Sequence, residues 1–414
     1  MQYRRFGRTE LAMPVFSCGG MRYQQSWDDS EFDTVEEANQ ANLRATIHRA
    51  IEVGVTHIET ARGYGTSEQQ LGLVLPELRE ARPESGGPDG LIVQTKVAPH
   101  ADPKEFRRQF LDSLARLQLK RVDLLGLHGI NTHEIFWQSV RPGGCLEEAR
   151  KLQSEGLVGH VGFSTHGSTE LIVDALECEH AGGFDYVNLH WYYINQWNWP
   201  AVEVATRRDI GVFIISPNDK GGMLYKPSDK LVELCQPLHP IVFNALFCLR
   251  RPEVHTMSLG AAQPSDFDLQ VSSLEQLDEA DLNSADALLA PILDRLRVAM
   301  VDAAGEDVAD QFREGLPAWD DGDNAGYMNT QVMLWLRNLA KAYDLIEYGK
   351  MRYNLLGNGG HWFPGLNAGV LDTLSDEQLE KAYKKSPFAD QIVGWLRETH
   401  DLLGDAEVKR LSAD

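Results

Sequence analysis

The chain has 414 residues, 43% hydrophobic and 24% charged, with 39 Lys and Arg against 61 Asp and Glu for a formal net charge of −22. That composition suits a globular chain with a large core and room for an appendage. Its acidic field opposes nucleic acid and anionic membrane, and no block of basic residues offsets it, so neither is expected as a partner.

Cys18, Cys145, Cys178, Cys235 and Cys248 are odd in number, widely spaced and form no CxxC. They argue for free thiols in a reducing compartment, against a disulfide frame or a thiolate zinc site. The opening MQYRRFGRTEL has charge but no apolar stretch behind it. Nothing approaches the roughly 18 apolar residues of a membrane span, so a cytoplasmic protein is expected.

In chain order, eight apolar runs alternate with helical patterns. They are VFSCGG (15–20), THIETA (56–61), LIVQTKV (91–97), VDLLGLH (122–128), VGHVGFSTH (158–166), YVNLHWY (186–192), GVFIISP (211–217) and VHTMSLG (254–260). SEQQLGLVLPELRE separates the second from the third. PKEFRRQFLDSLARL follows, with Phe106, Phe110, Leu114 and Leu117 at helical spacing. GGCLEEARKLQSEG and STELIVDALECEH fill the next two gaps. Repeated strand–helix units over this length predict an α/β fold, a (β/α)8 TIM barrel over residues 1–275. A doubly wound open sheet would want a GxGxxG turn after its first strand, and none is present.

From 276 to 414 the pattern is helical. NTQVMLWLRNLAKAYDLIEYGKMRY places Val332, Leu336, Leu339, Tyr343 and Ile346 on one stripe, as one long amphipathic helix or two. GNGGHWFPG (357–365) is a turn-rich break, in which His361 and Trp362 read as capping or buried residues. SDEQLEKAYKK opens another helix, with Ser375 as its cap.

A barrel carries its functional groups at the C-terminal ends of its strands. Polar residues gather there: Glu59 and Tyr64, Lys96, His128, then Ser164, Thr165 and His166, Asn188 and His190, Ser216 and Asn218. Any one of Glu59, Tyr64, Lys96 and His128 alone reads as a buried ion, a packed aromatic, a cap or a core histidine. An ionisable residue in an apolar strand is costly unless paired. All of them at one end of successive strands favour a functional site.

These residues resemble the aldo-keto reductase family. The stretches YRRFGRTELAMPVFSCGGMR, HIETARGYGTSEQQLG, VQTKV, VDLLGLH and GHVGFSTH match its pattern in order and spacing over roughly residues 1–275. The LHGIN turn at 127–131 resembles members that carry a C-terminal ferredoxin-like domain. The resemblance implies NAD(P)H-dependent reduction of an aldehyde or ketone, with Tyr64 as general acid. Lys96 would lower the phenol's pKa, Glu59 would keep Lys96 charged, and His128 would orient the carbonyl. It implies cofactor contacts from Gly20, Met21, Ser164, Thr165, His190, Ser216, Lys220, Gly260, Ala261 and Gln263, and no metal.

The sequence departs from the family's pattern at several of these places. Glu59 stands where aspartate is usual, Thr165 where asparagine follows the serine, His190 where glutamine is common, and Ile215 where many members stack a tyrosine. Many members read a 2′-phosphate with Lys or Arg after the last strand. Here no Lys or Arg lies between Arg251 and Arg295, and Asp266 and Asp268 would repel a phosphate. The amides of Gly260 to Gln263 could still cradle a pyrophosphate, and Lys220 could add a charge, so NADPH and NADH both stay open. WYYINQWNW (191–199) and a long loop at 130–144 suit a small-molecule carbonyl substrate with a flat or apolar body, unless the aromatics pack against the C-terminal region.

No cysteine follows Cys248, so residues 276–414 read as a degenerate ferredoxin-like domain without an iron–sulfur cluster. Two other readings stand: a nicotinamide-nucleotide-binding scaffold with vestigial turnover, and a metal-dependent barrel using His57, Glu59, His128, His166 and His190. Substrate and oligomeric state stay open.

Overall fold

Side chains on a strand alternate between its two faces, so residues two apart share one face. That rule orders the interior here. Each of the eight apolar runs becomes one parallel strand: β3 (Phe16–Gly19), β4 (His57–Glu59), β5 (Ile92–Val97), β6 (Val122–Leu127), β7 (Val158–Ser164), β8 (Tyr186–Leu189), β9 (Gly211–Ile214) and β10 (Thr256–Leu259). They close in sequence order, with β10 pairing back onto β3. The computed structural model describes residues 1–277, 283–359 and 362–404.

An antiparallel hairpin, β1 (Tyr3–Arg5) and β2 (Ala12–Pro14), precedes the barrel. Its Phe6 and Met13 join Ile92, Leu124, Tyr186 and Phe213 in one buried apolar cluster, near the N-terminal ends of β5, β6 and β8. Above that floor the strands carry polar groups. Ser17 Oγ lies 2.6 Å from His57 Nδ1 and 2.7 Å from Thr256 Oγ1, tying β4, β3 and β10 together. Burial, with the Lys96 charge adding to it, pushes the His57 imidazole down to about 3, so it is neutral. Two residues further along these strands come Gly19, Glu59 and Ser258, and from Gln94 on β5 the same step reaches Lys96.

The helix Pro103–Leu117 shows how the outer layer forms. The Asp102 side chain caps it by accepting from Lys104 N–H, Pro103 stands at the start, and Phe106, Phe110, Leu114 and Leu117 are buried as their spacing predicts. The expected long loop at 130–144 instead contains the helix His133–Val140. Thr132 caps it by accepting from Ile135 N–H at 3.2 Å.

The chain divides into two compact units, Met1–Tyr225 with Asn244–Ala285, and Lys226–Phe243 with the residues from Asp286 onward. The division is therefore not a single cut near residue 275. Ser228 Oγ donates to Tyr343 O at 2.6 Å and Arg295 Nε to Leu234 O at 3.0 Å, which ties the inserted segment to the second unit. The second unit's regular structure, among the described residues, is helical. The stretch 329–353 forms two helices, Thr330–Tyr343 and Ile346–Tyr353, broken where Asp344 turns left-handed at φ 55°. Ser375 caps Asp376–Tyr383 in a reciprocal pair with Gln378. Trp362 is buried against Phe363, with the Arg352 guanidinium 4.9 Å from its ring; His361 lies outside the described residues. Among the described residues no single helix is long and apolar enough to cross a membrane.

One position tests the barrel packing. Gly162 on β7 is in register with Tyr186 on β8, and a Cβ there would meet Tyr186 O at 2.4 Å and the phenol ring at 2.6 Å. Gly162→Ala should cost about 1–3 kcal/mol by overpacking, seen as a lower urea midpoint. Gly394→Ala, on the helix Ala389–Leu403 with nothing within 4 Å of the added atom, should be neutral or stabilise by about 0.5–1 kcal/mol. Equal behaviour of the two variants would contradict this packing.

Candidate active site

Glu59 ends β4, and Lys96 lies near the end of the neighbouring β5. Lys96 Nζ donates to Glu59 Oε2 and, at 2.7 Å, to Thr60 O. Ser258 Oγ on β10 donates to the other carboxylate oxygen at 3.0 Å. Lys96 is 2% exposed and Glu59 4%. Burial pulls the Lys96 ammonium down, but the Glu59 charge, helped by Tyr64, outweighs it and holds the group above the ordinary lysine value.

Two glycines make this pair possible. Gly126 on β6 is in register with Lys96, and a Cβ there would stand 3.0 Å from Lys96 Cγ. Gly19 on β3 is in register with Glu59. A Cβ there would lie 2.6 Å from Ser258 Oγ and 3.0 Å from Glu59 Oε1. The longer glutamate thus has its space, and its carboxylate reaches the lysine.

Tyr64 stands on the turn after β4. Its N–H donates to Ala61 O at 3.0 Å, and Gly65 follows at φ 54°, where a Cβ would fall 1.9 Å from Ser26 O. Only glycine fits that approach. The Lys96 ammonium lies 4.9 Å from the Tyr64 ring centroid. The His128 ring meets Tyr64 edge-on at 5.6 Å, and Trp27 does so at 6.4 Å. Tyr64 and His128 are both half-buried. The structure therefore brings Glu59, Lys96, Tyr64 and His128 together at the C-terminal mouth of the barrel.

The residues expected to hold a cofactor separate into groups. Ser164 on β7 and Asn188 on β8 are in register. Asn188 is fully buried, with neither amide atom hydrogen-bonded. Ser164 Oγ accepts from Gly129 N–H at 3.1 Å. The Thr165 hydroxyl donates to Ile130 O at 2.6 Å and accepts from Gly167 N–H at 2.9 Å.

His190 takes part in a linear chain. Lys220 Nζ lies 3.0 Å from His166 Nε2, His166 Nδ1 2.7 Å from His190 Nε2, and His190 Nδ1 3.2 Å from the Tyr192 hydroxyl. As an ammonium Lys220 only donates, so two neutral rings on this chain each carry their hydrogen on Nδ1. His190 is engaged on both ring nitrogens, whereas Asn188 sits beside Ser164 with its amide unengaged.

At the last strand end, Asp266 is not the bare repulsive charge expected. Arg22, after β3, donates to Gly260 O and pairs with Asp266 at 3.3 Å. Arg49 pairs with Asp268 at 3.1 Å. Two of the amides expected to cradle a pyrophosphate are used locally. Ala261 N–H donates to Leu259 O, and Ala262 N–H to Asp266 Oδ2 at 2.8 Å. Gly20 packs against the Glu59 backbone, where a Cβ would meet Glu59 O at 2.7 Å. Met21 is half-buried, and Ser216 holds a left-handed backbone at φ 58°.

Of the aromatic loop, Trp191 and Tyr192 are core residues. Trp191 lies between Trp199 at 4.8 Å and Phe247 at 5.2 Å, within the same unit. Among the described residues no three His, Cys, Asp or Glu side chains gather so as to hold a metal ion. Ser258 could have been found by counting two along β10 from Thr256. Arg22 is 244 positions from Asp266 and gives no local signal.

A closed parallel barrel with a lysine–carboxylate pair buried beside a tyrosine at its C-terminal mouth is the architecture of one class of oxidoreductase. Residues 16–231, just over half of the chain, match the Aldo/keto reductase family, and the chain belongs to that family. A stretch of 145 residues, 33% of this chain, is 32% identical to methylglyoxal reductase DkgA of Escherichia coli (strain K12) and spans 46% of that protein. The match thus covers less than half the length of that relative. Among solved structures, the chain resembles an aldo-keto reductase from Bacillus halodurans in its holo form. The TM-score is 0.55 and the identity 19%, over 70% of this chain and 96% of that one. It also resembles an aldo/keto reductase from Klebsiella pneumoniae in complex with NADP and acetate, with a TM-score of 0.53 and 19% identity over 70% and 96%. These last two likenesses are likenesses of fold.

Glu59→Gln isolates the buried pair. It should destabilise the protein by about 3–5 kcal/mol at neutral pH, because the ammonium keeps its burial and loses its counter-charge. Lys96 is raised in the native protein, so the pair's contribution is present below the ordinary lysine value of 10.5 and is lost as pH climbs through the native value. The gap between variant and native protein should therefore narrow above that pH in denaturant titrations. A pH-independent gap would contradict the ion pair.

Proposed function

We propose that this protein reduces an aldehyde or ketone with a nicotinamide dinucleotide, NADPH or NADH, as hydride donor. The observation that carries the reading is the Lys96 ammonium, held by Glu59 and lying 4.9 Å from the centroid of the Tyr64 ring, with His128 edge-on to the same ring. The buried, unengaged carboxamide of Asn188 beside Ser164 fits an amide-bearing ring such as nicotinamide, which offers one donor group and one acceptor.

The reaction adds a hydride to the carbonyl carbon and a proton to its oxygen; the dinucleotide, when bound, supplies the hydride. Tyr64 gives the proton. A free phenol with a pKa near ~10 parts with it reluctantly at neutral pH, and the ammonium of Lys96 stabilises the phenolate left behind. Glu59 keeps Lys96 charged despite its burial. His128 donates to the carbonyl oxygen, aligning it with Tyr64 and countering the charge that grows there. The name of the matched relative, a methylglyoxal reductase, supports a small carbonyl compound as substrate.

A second reading, a nucleotide-binding scaffold with residual turnover, draws on the hydroxyl of Thr165 and the ring nitrogens of His190. Both are tied up within the protein.

Fluorescence titration with NADPH and with NADH, followed by oxidation with 4-nitrobenzaldehyde and 9,10-phenanthrenequinone, separates the two. Tyr64→Phe should leave nucleotide Kd unchanged and lower kcat by about 10²–10⁴-fold. Tight binding without any turnover in the native protein would leave the scaffold as the surviving reading. No binding of either nucleotide would sink both.

A further inference from the structure

We infer that Thr165 is a positioning residue for His128, and not a contact for a nicotinamide carboxamide; the inference rests on the reductase reading. The last ladder bond before the imidazole is His128 N–H to Val97 O at 2.8 Å. Beyond it the chain turns through Gly129 at φ 81°, Ile130 and Asn131. Without further attachment, that turn would let His128 swing.

The turn is latched to the exit of β7 by five hydrogen bonds. Gly129 N–H reaches both Ser164 O and Ser164 Oγ at 3.1 Å, and Ile130 N–H donates to Ser164 O at 2.9 Å. His166 N–H donates to Asn131 Oδ1 at 2.7 Å. The shortest is the Thr165 hydroxyl to Ile130 O at 2.6 Å.

A hydroxyl has one hydrogen to give, and Thr165 gives it to Ile130. Its oxygen also accepts from Gly167 N–H, and its own N–H donates to Asn188 O at 3.1 Å. The side chain is 1% exposed. Thr165 therefore has no donor left for a ligand. It joins the turn behind His128 to β7 and β8, and so fixes the place of the imidazole beside Tyr64. A longer amide side chain could reach out to a ligand from this position, whereas a threonine this short, turned inward, cannot.

The test pairs Thr165→Val, which keeps the shape and removes the hydroxyl, with Thr165→Ser, which restores it. A reacting group displaced by ~1 Å loses on the order of 10²-fold in rate. Thr165→Val should accordingly lower kcat by about 10–100-fold while NADPH and NADH Kd stay within about twofold. Thr165→Ser should recover to within about threefold of the native rate. In a His128→Asn background, Thr165→Val should add less than about twofold, because the group it positions is gone.

Raised nucleotide Kd with kcat unchanged would overturn the inference and restore Thr165 as a cofactor contact. A full multiplicative loss in the His128→Asn background would also overturn it, by showing general damage. Absence of turnover in the native protein is the failure of the reductase reading. The latch is then decided by amide hydrogen exchange. Gly129 and Ile130 should lose protection at least about tenfold in Thr165→Val, corresponding to about 1.4 kcal/mol of local opening. Unchanged protection would refute the latch on its own.

Discussion

The structure around this site depends on one buried charge. An ammonium taken out of water is tolerated only with a close counter-ion and its remaining hydrogens satisfied. Glu59 and Thr60 O supply both for Lys96, and Ser258 holds the carboxylate from the opposite side. Much of the surrounding sequence follows from that requirement. Gly126 leaves space for the lysine stem, and Gly19 leaves space for the carboxylate. β10 must close onto β3 for Ser258 to arrive at all. Such a pair is weak evidence of stability, since apolar residues of similar volume are often as good or better. At the mouth of the barrel its ammonium lies 4.9 Å from the centroid of the Tyr64 ring.

Around the same mouth, strand exits are joined by side chains as well as by the sheet. The turn after β6 is bound to the exit of β7 through Ser164, Thr165 and Asn131. The exit of β7 is bound to β8 and to the loop after β9 through His166, His190 and Lys220. In the second set the hydrogen bonds run from Lys220 through His166 and His190 as far as Tyr192. Preorganisation of this kind lets a loop-borne acid or donor hold its geometry without reorganising during reaction.

How much was legible in the sequence follows from the range of each interaction. The eight strands were readable because each is a local apolar run between helical patterns, and all eight stand where those runs lie. Glu59, Tyr64, Lys96 and His128 could be grouped because each is an ionisable residue near the end of a strand or in the turn that follows it. The helix His133–Val140 was missed because its polar flanks and Pro142 resemble a loop, although Thr132 is a recognisable cap. That Asn188, and not His190, is the residue paired across to Ser164 was not legible in the sequence, since only the paired strands display that register. The division of the chain was hidden for another reason, since Lys226–Phe243 lies within the barrel sequence and joins the second unit through long-range hydrogen bonds.

Charge shows the same contrast between local sequence and assembled structure. A chain of net charge −22 should be a poor host for an anionic dinucleotide, and the stretch after β10 reinforces that view when read alone. Beyond a Debye length of about 8 Å, however, the distant surface charges are largely screened at physiological salt. What a bound anion feels is set by groups within that range. There Arg22, itself only 7% exposed, is joined to both Gly260 O and Asp266, and Arg49 reaches Asp268 from the first long helix, Glu37–Glu52. The two aspartates are thereby neutralised by arginines from distant parts of the chain. The acidic total is a sum over the whole surface, whereas the pairing of these two aspartates is a matter of a few ångströms.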